Sequence, residues 1–144
     1  MKKCFIATLA LTLVLALVGC GNNGNGGTDE KSEGVMTYAE YEAAALDTQV
    51  VIEAYVQAKQ SWWENQATVY AQDKDGGYFF YNTTCSEEDY AKLTPGTKIK
   101  VTGYKAEWSG EVEIIDATFE IGEGSFVAEA EDVTSLLGSD DLIK

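Results

Sequence analysis

The sequence predicts an all-β barrel carrying short helices, and three observations predict it. Apolar and polar residues alternate with period two through five separate segments, the pattern of half-buried strands. The helical signatures between and around those segments are short, each marked by its own cap. With 45% hydrophobic and 11% aromatic residues, the 144-residue chain carries enough apolar surface for a packed core.

The first nineteen residues read as an address. Lys2 and Lys3 precede Phe5–Val18, which is apolar apart from Thr8 and Thr12. As a helix that stretch would rise roughly 21 Å, short of the ~30 Å hydrocarbon core, so it reads as the apolar region of a signal peptide. Leu17-Val18-Gly19-Cys20 follows directly and resembles the lipobox of bacterial lipoproteins. That resemblance implies cleavage after Gly19 and lipid on Cys20, which would hold the protein on the extracytoplasmic face of the cell membrane. Cys4 would leave with the signal, and Cys85 would then be the only thiol, excluding an internal disulfide. An isolated cysteine with no histidine or arginine to activate it reads as a small buried hydrophobe. Gly21–Gly34 contains no apolar residue, so residues 20–36 are expected to form a flexible tether.

Residues 37–144 are expected to form one domain. Thr37-Tyr38-Ala39-Glu40 is a capping box, with Met36 and Tyr41 at the staple positions, and predicts a helix from Tyr38 to Leu46 that plugs one end of the fold. Val50, Ile52, Ala54, Val56 and Ala58 then share one face of a long first strand, and Ala67, Val69 and Ala71 one face of a second. Asp73-Lys74-Asp75-Gly76-Gly77 supplies a hairpin turn into a third strand, Tyr78–Asn82. Ser86 caps a helix to Leu93, with acidic residues in its first turn and Pro95-Gly96 beyond its end. A fourth strand, Thr97–Trp108, turns at Ser109-Gly110 into a fifth, Glu111–Ile121. The apolar phase slips between Ile114 and Ile115 in that last strand, which predicts a bulge. A closing helix is expected at 131–137, with Val133, Leu136 and Leu137 on its apolar side.

Three strands, a helix and two strands, with Leu93–Gly103 and the Glu111–Ile121 strand carrying the impression, resemble a five-stranded OB-fold Greek-key barrel with its helix between strands three and four. The likeness is to OB domains of the nucleic-acid-binding type in bacterial lipoproteins, and it covers Val50 to Ile121 of an expected 48–121 core barrel. It implies a binding face on the second and third strands, framed by the loop between strands one and two and the loop between strands four and five. Those loops hold every tryptophan of the chain: Trp62 and Trp63 in the first, Trp108 beside the second. The expectation is that the three indoles gather as a ligand-binding aromatic platform with Tyr55 and Tyr70. Either Tyr78 and Phe80 or Phe79 and Tyr81 would extend it. The alternative is that the indoles are core and the domain purely structural.

Composition narrows the chemistry. All ten basic residues are lysine and histidine is absent, so His-based triads, histidine metal sites and arginine forks are excluded. Asp73-x-Asp75-Gly76 resembles the opening of a calcium loop, but Gly77 and Thr84 occupy its fifth and twelfth positions, so no metal or other cofactor is expected. Glu107, Glu111 and Glu113 leave a small carboxylate hydrolase as an alternative, although a non-catalytic binding or assembly module is preferred. Its expected partners are an oligosaccharide, a peptide or a protein. A formal charge of −14 disfavours nucleic acid, although Lys98, Lys100 and Lys105 suggest a local basic stripe and leave a single-strand nucleic-acid binder as a further alternative.

Overall fold

The computed structural model describes residues 31–143. The expected signal segment, Cys20 and the expected tether through residue 30 lie outside the described residues. Chain order is α1 (Tyr38–Ala43), β1 (Gln49–Lys59), β2 (Gln66–Gln72), β3 (Gly77–Thr84), α2 (Glu87–Lys92), β4 (Thr97–Trp108) and β5 (Glu111–Ser125), followed by single 3-10 turns at Thr134–Leu136 and Asp140–Ile143. The strands close as β1-β2-β3-β5-β4, with β4 returning to β1. The β3–β5 seam is parallel, Phe80 opposite Ile114, and the other seams are antiparallel. A closed five-stranded barrel with its helix between the third and fourth strands is an OB-fold.

Alternation fills the interior as the pattern predicts. Val50, Ile52, Ala54 and Val56 point inward from β1, Ala67, Val69 and Ala71 from β2, and Ile99 and Val101 from β4. Ala58 departs from its row and is exposed, because the register shifts between Val56 and Ala58 where β1 meets β2. Two short helices stop the open ends. Leu93, the C-cap of α2, is fully buried where β3 ends and β4 begins. At the other end α1 carries Tyr41 inward, 5.2 Å from the ring of Tyr78. The capping box forms as expected, with the Glu40 amide donating to Thr37 Oγ1 and the Thr37 amide donating to Glu40 Oε2.

The C-terminus of α1 is closed from outside the helix. Lys105 Nζ donates to the carbonyls of Tyr41, Glu42 and Ala44, each at 2.9 Å, supplying charge where the helix dipole is negative. The basic stripe is corrected here. Lys105 shares parity with Ile99, Val101 and Gly103 and faces inward, 7% exposed, whereas Lys98 faces outward and binds Glu53 at 3.0 Å.

The bulge in β5 lies two residues beyond its expected place. Tyr104 pairs with Ile115 and Thr102 with Thr118, so Gly103 faces two residues, Asp116 and Ala117. Asp116 takes φ 49°, and Ile114 and Ala117 both point inward as a result. Gly103 permits the close approach, since a Cβ there would lie 2.6 Å from Ile114 Cγ2 and 2.8 Å from the Ile115 carbonyl oxygen.

Two expectations at the termini are corrected. Residues 131–137 hold only a 3-10 turn, Thr134–Leu136, rather than an α-helix, and Leu137 is 68% exposed. Tyr41 and Leu93 already fill the barrel ends, so this segment has no apolar face to pack on, and short helices without such packing are marginal. The tether does not run free to residue 36 either. Lys31 Nζ donates to Asp73 Oδ2 at 2.6 Å and to the Glu53 carbonyl, the Ser32 amide donates to Glu53 Oε2, and the Met36 amide to the Val51 carbonyl.

Asp73 therefore holds the strap to the β2–β3 hairpin. Its Oδ1 accepts from the amides of Asp75 and Gly76, and its Oδ2 accepts from Tyr78 as well as Lys31. Four protein donors thus occupy the carboxylate, which accounts for this aspartate as a turn residue. Burial pushes its pKa up, but the bonds from Lys31, Asp75, Tyr78 and Gly76 outweigh burial and hold it below the ordinary 3.8. A depressed carboxyl stabilises the fold fully above its unfolded value and loses that contribution as pH falls through the lower folded value. Replacing Asp73 by Asn is expected to cost about 3 kcal/mol at neutral pH. It should also flatten the fall in stability below about pH 4, read by urea denaturation across a pH series. An unchanged acid limb in the variant would contradict this role.

Candidate functional site

The outer face of β2 and β3 is built from rings. Tyr70 and Phe79 are cross-strand partners, and their rings stack at 5.1 Å with 21° between planes. Phe79 continues to Tyr81 at 6.2 Å. Of the two alternating pairs, Tyr78 and Phe80 point into the core at 4% and 1% exposed, so Phe79 and Tyr81 form the outer row. Gln60 Nε2 donates to the Tyr70 hydroxyl at 2.8 Å and fixes the ring at that edge.

A second bulge keeps Tyr81 outward while the strand goes on to bury Thr83. The β2–β3 register shifts between Ala67 and Val69, and Asn82 takes φ 46°, a conformation asparagine tolerates better than most residues. Buried Thr68 holds it there, its Oγ1 accepting from the Asn82 amide at 3.2 Å. Neither threonine nor asparagine in a strand signals this from sequence alone.

The β4–β5 hairpin supplies the opposite wall. Ser109 and Gly110 adopt φ 53° and 90°, the left-handed pair a tight type I′ hairpin needs. This turn carries Trp108 out to 73% exposure, paired with Glu111. Phe79, Tyr81, Trp108, Glu111 and Glu113 together line an open groove of about 340 Å³, with no lysine among them. Glu107 is exposed but is not among the residues lining it.

The predicted platform is thus rearranged. Tyr70 and Trp108 stand on the exposed face, but Tyr55 does not: it is 4% exposed, beneath Phe126 at 5.6 Å. The chain leaving β5 folds back over β1, with Gln57 bonded to the Phe126 carbonyl and the Ala128 amide, and this covers the outer face that Tyr55 shares. The three indoles do not gather. Trp63 bridges Gln66, which pairs with Thr84 at the end of β3, whereas the Phe80–Ile114 pairing sets Glu111 and Trp108 level with the start of β3. Roughly 20 Å of strand separates the two levels. Trp63 is 71% exposed, and Trp62 is half-buried with its Nε1 donating to the Cys85 carbonyl at 2.9 Å. Cys85 itself is buried, and burial followed by Asp89 pushes its thiol pKa up.

No family model matches the sequence, and no curated protein matches it. Among solved structures, the chain is similar to one described as "Structure and Conformational Change of a Replication Protein A Heterotrimer Bound to ssDNA", at 14% identity and a TM-score of 0.40, covering 81% of this chain and 85% of that one. That protein was solved bound to ssDNA, which is a property of that protein, and the expectation that disfavours nucleic acid here is corrected on a physical ground. The physical weakness of the expectation is that it rested on total charge. Surface charges more than about 10 Å from a site are largely screened at ordinary salt.

The indoles are separable by stability. Trp63→Ala and Trp108→Ala are expected to change unfolding free energy by less than about 0.5 kcal/mol. Trp62→Phe, which orphans the Cys85 carbonyl, should cost about 1 kcal/mol. Chemical denaturation of the three variants checks this, and a destabilised Trp108→Ala would mean that ring is core.

Proposed function

We propose that this chain is a non-catalytic binding module whose Tyr70–Phe79–Tyr81 row, with Trp108 opposite, stacks the bases of a single-stranded nucleic acid. The observation that carries the reading is the ring row itself: contiguous aromatic faces left in solvent on the outside of β2 and β3. Every base has a π-face, and base–aromatic stacking contributes about 1–3 kcal/mol per base without sequence preference. Affinity on such a face comes from rings rather than phosphates, because no lysine lines the groove. Catalysis fits the groove poorly. Glu111 and Glu113 leave the same face of one strand, whereas glycoside hydrolysis needs carboxyl groups flanking the scissile bond.

Titrating a short single-stranded DNA and following tryptophan emission tests the reading. Binding is expected to weaken by roughly tenfold for Phe79→Ala or Trp108→Ala. The slope of log K against log salt should have a magnitude of about 1 or less. Unaltered affinity in both variants, or a steep slope, would remove the ring face as the binding surface.

The module is further proposed to work outside the cytoplasm, held to the membrane by lipid on Cys20. The lipobox-like Leu17-Val18-Gly19-Cys20 after an apolar stretch supports this. In a bacterial host the full chain should incorporate labelled fatty acid and sediment with membranes, and Cys20→Ala should abolish both. Labelling that survives the substitution would refute the anchor.

A further inference from the structure

The groove beside Phe79 has a bias in hydrogen bonding that stacking alone does not require. Glu111 and Glu113, two residues apart, project from one face of β5, and both line the groove with Trp108. The pairing of Phe80 with Ile114 sets Glu113 level with Phe79 on the neighbouring strand, so a carboxylate stands at the edge of the stacking surface. Glu113 is partly buried there and Glu111 is exposed beside the turn. The ring walls and the acidic edge are contributed by three different strands, which the barrel closure alone brings together.

A carboxylate presents two acceptor oxygens side by side and, when ionised, no donor. Its best partner offers two parallel N–H groups, as in a bidentate pair. Among the four DNA bases only guanine does so, through N1–H and N2–H on its Watson–Crick edge. Cytosine and adenine set one amino group beside an acceptor nitrogen, and thymine sets one N–H between two carbonyl oxygens that would face the carboxylate unfavourably.

Resting on the stacking reading above, we infer that the groove is a guanine-reading subsite. One base lies between Trp108 and the Phe79–Tyr81 wall, and Glu113 accepts from its N1–H and N2–H. Glu111, a like charge to phosphate at the open side, keeps the strand's backbone out of the groove and turns the base inward.

The experiment uses the full chain and tryptophan emission in two arms. The first compares thymine tracts carrying one central guanine, hypoxanthine or cytosine; hypoxanthine deletes only the N2 amino group, so the comparison alters the ligand and leaves the protein untouched. The second compares free guanosine, inosine and thymidine, which lack phosphate. Guanine is expected to bind roughly tenfold tighter than hypoxanthine or thymine in both arms. Glu113→Gln should bring the guanine strand down to the level of the plain thymine tract. Equal binding of all strands, or a guanine preference that survives Glu113→Gln, overturns the subsite while leaving the stacking reading in place. Guanosine preferred over inosine with no strand bound would support the subsite and overturn the strand reading. Failure of every strand and every nucleoside overturns both.

Discussion

Phe80 of β3 and Ile114 of β5 meet across the parallel seam of the barrel, both almost fully buried. Neighbouring strands in an antiparallel meander would never bring these two together; closure does. Because side chains alternate, burying Phe80 and Ile114 sends Phe79 and Glu113 outward as immediate neighbours. The site is in that sense the outer surface of the seam that completes the core. Gly103 and the Asp116 bulge belong to the same constraint, since they let β4 and β5 press together where β5 must bend to reach β3.

Where packing is periodic, the sequence was legible. The rows Val50–Val56 and Ala67–Ala71, the bounds of β4 and both helix caps could be read from residue spacing and capping chemistry, because burial on one face leaves period two in the chain. The helix expected at 131–137 shows the limit of that reasoning. Its apolar residues are spaced for a helix, yet helicity there needs an unfilled surface, and Tyr41 and Leu93 had taken both barrel ends. Lys105 was misplaced for a different reason: its parity with Ile99 and Val101 marks it as inward, but a lysine on an inner face becomes intelligible only once the three α1 carbonyls that receive it are known.

The ring face was legible in kind and not in place. Aromatic residues flanking the second and third strands could be seen, but choosing between Phe79/Tyr81 and Tyr78/Phe80 required knowing which row fills the barrel. Tyr55 looked equivalent to Tyr70 because both sit at polar-phase positions of their strands. Only the return of Phe126 across β1, nearly seventy residues further on, distinguishes them. The outer face of β1 is covered by the segments that flank the barrel: Lys31 and Ser32 on Glu53, Phe126 on Tyr55. On β2 and β3 nothing comparable covers Tyr70 and Tyr81, which stay exposed.

Lys31 also decides how the molecule responds to force. A pull applied through the chain on the amino-terminal side of the strap reaches the Lys31–Asp73 pair before it reaches any strand. The load would next meet the Ser32–Glu53 bond and then the Met36–Val51 bond, so the strap would be loaded in sequence rather than all at once. Load applied from that side would therefore fall on the strap before it fell on the barrel and its rings.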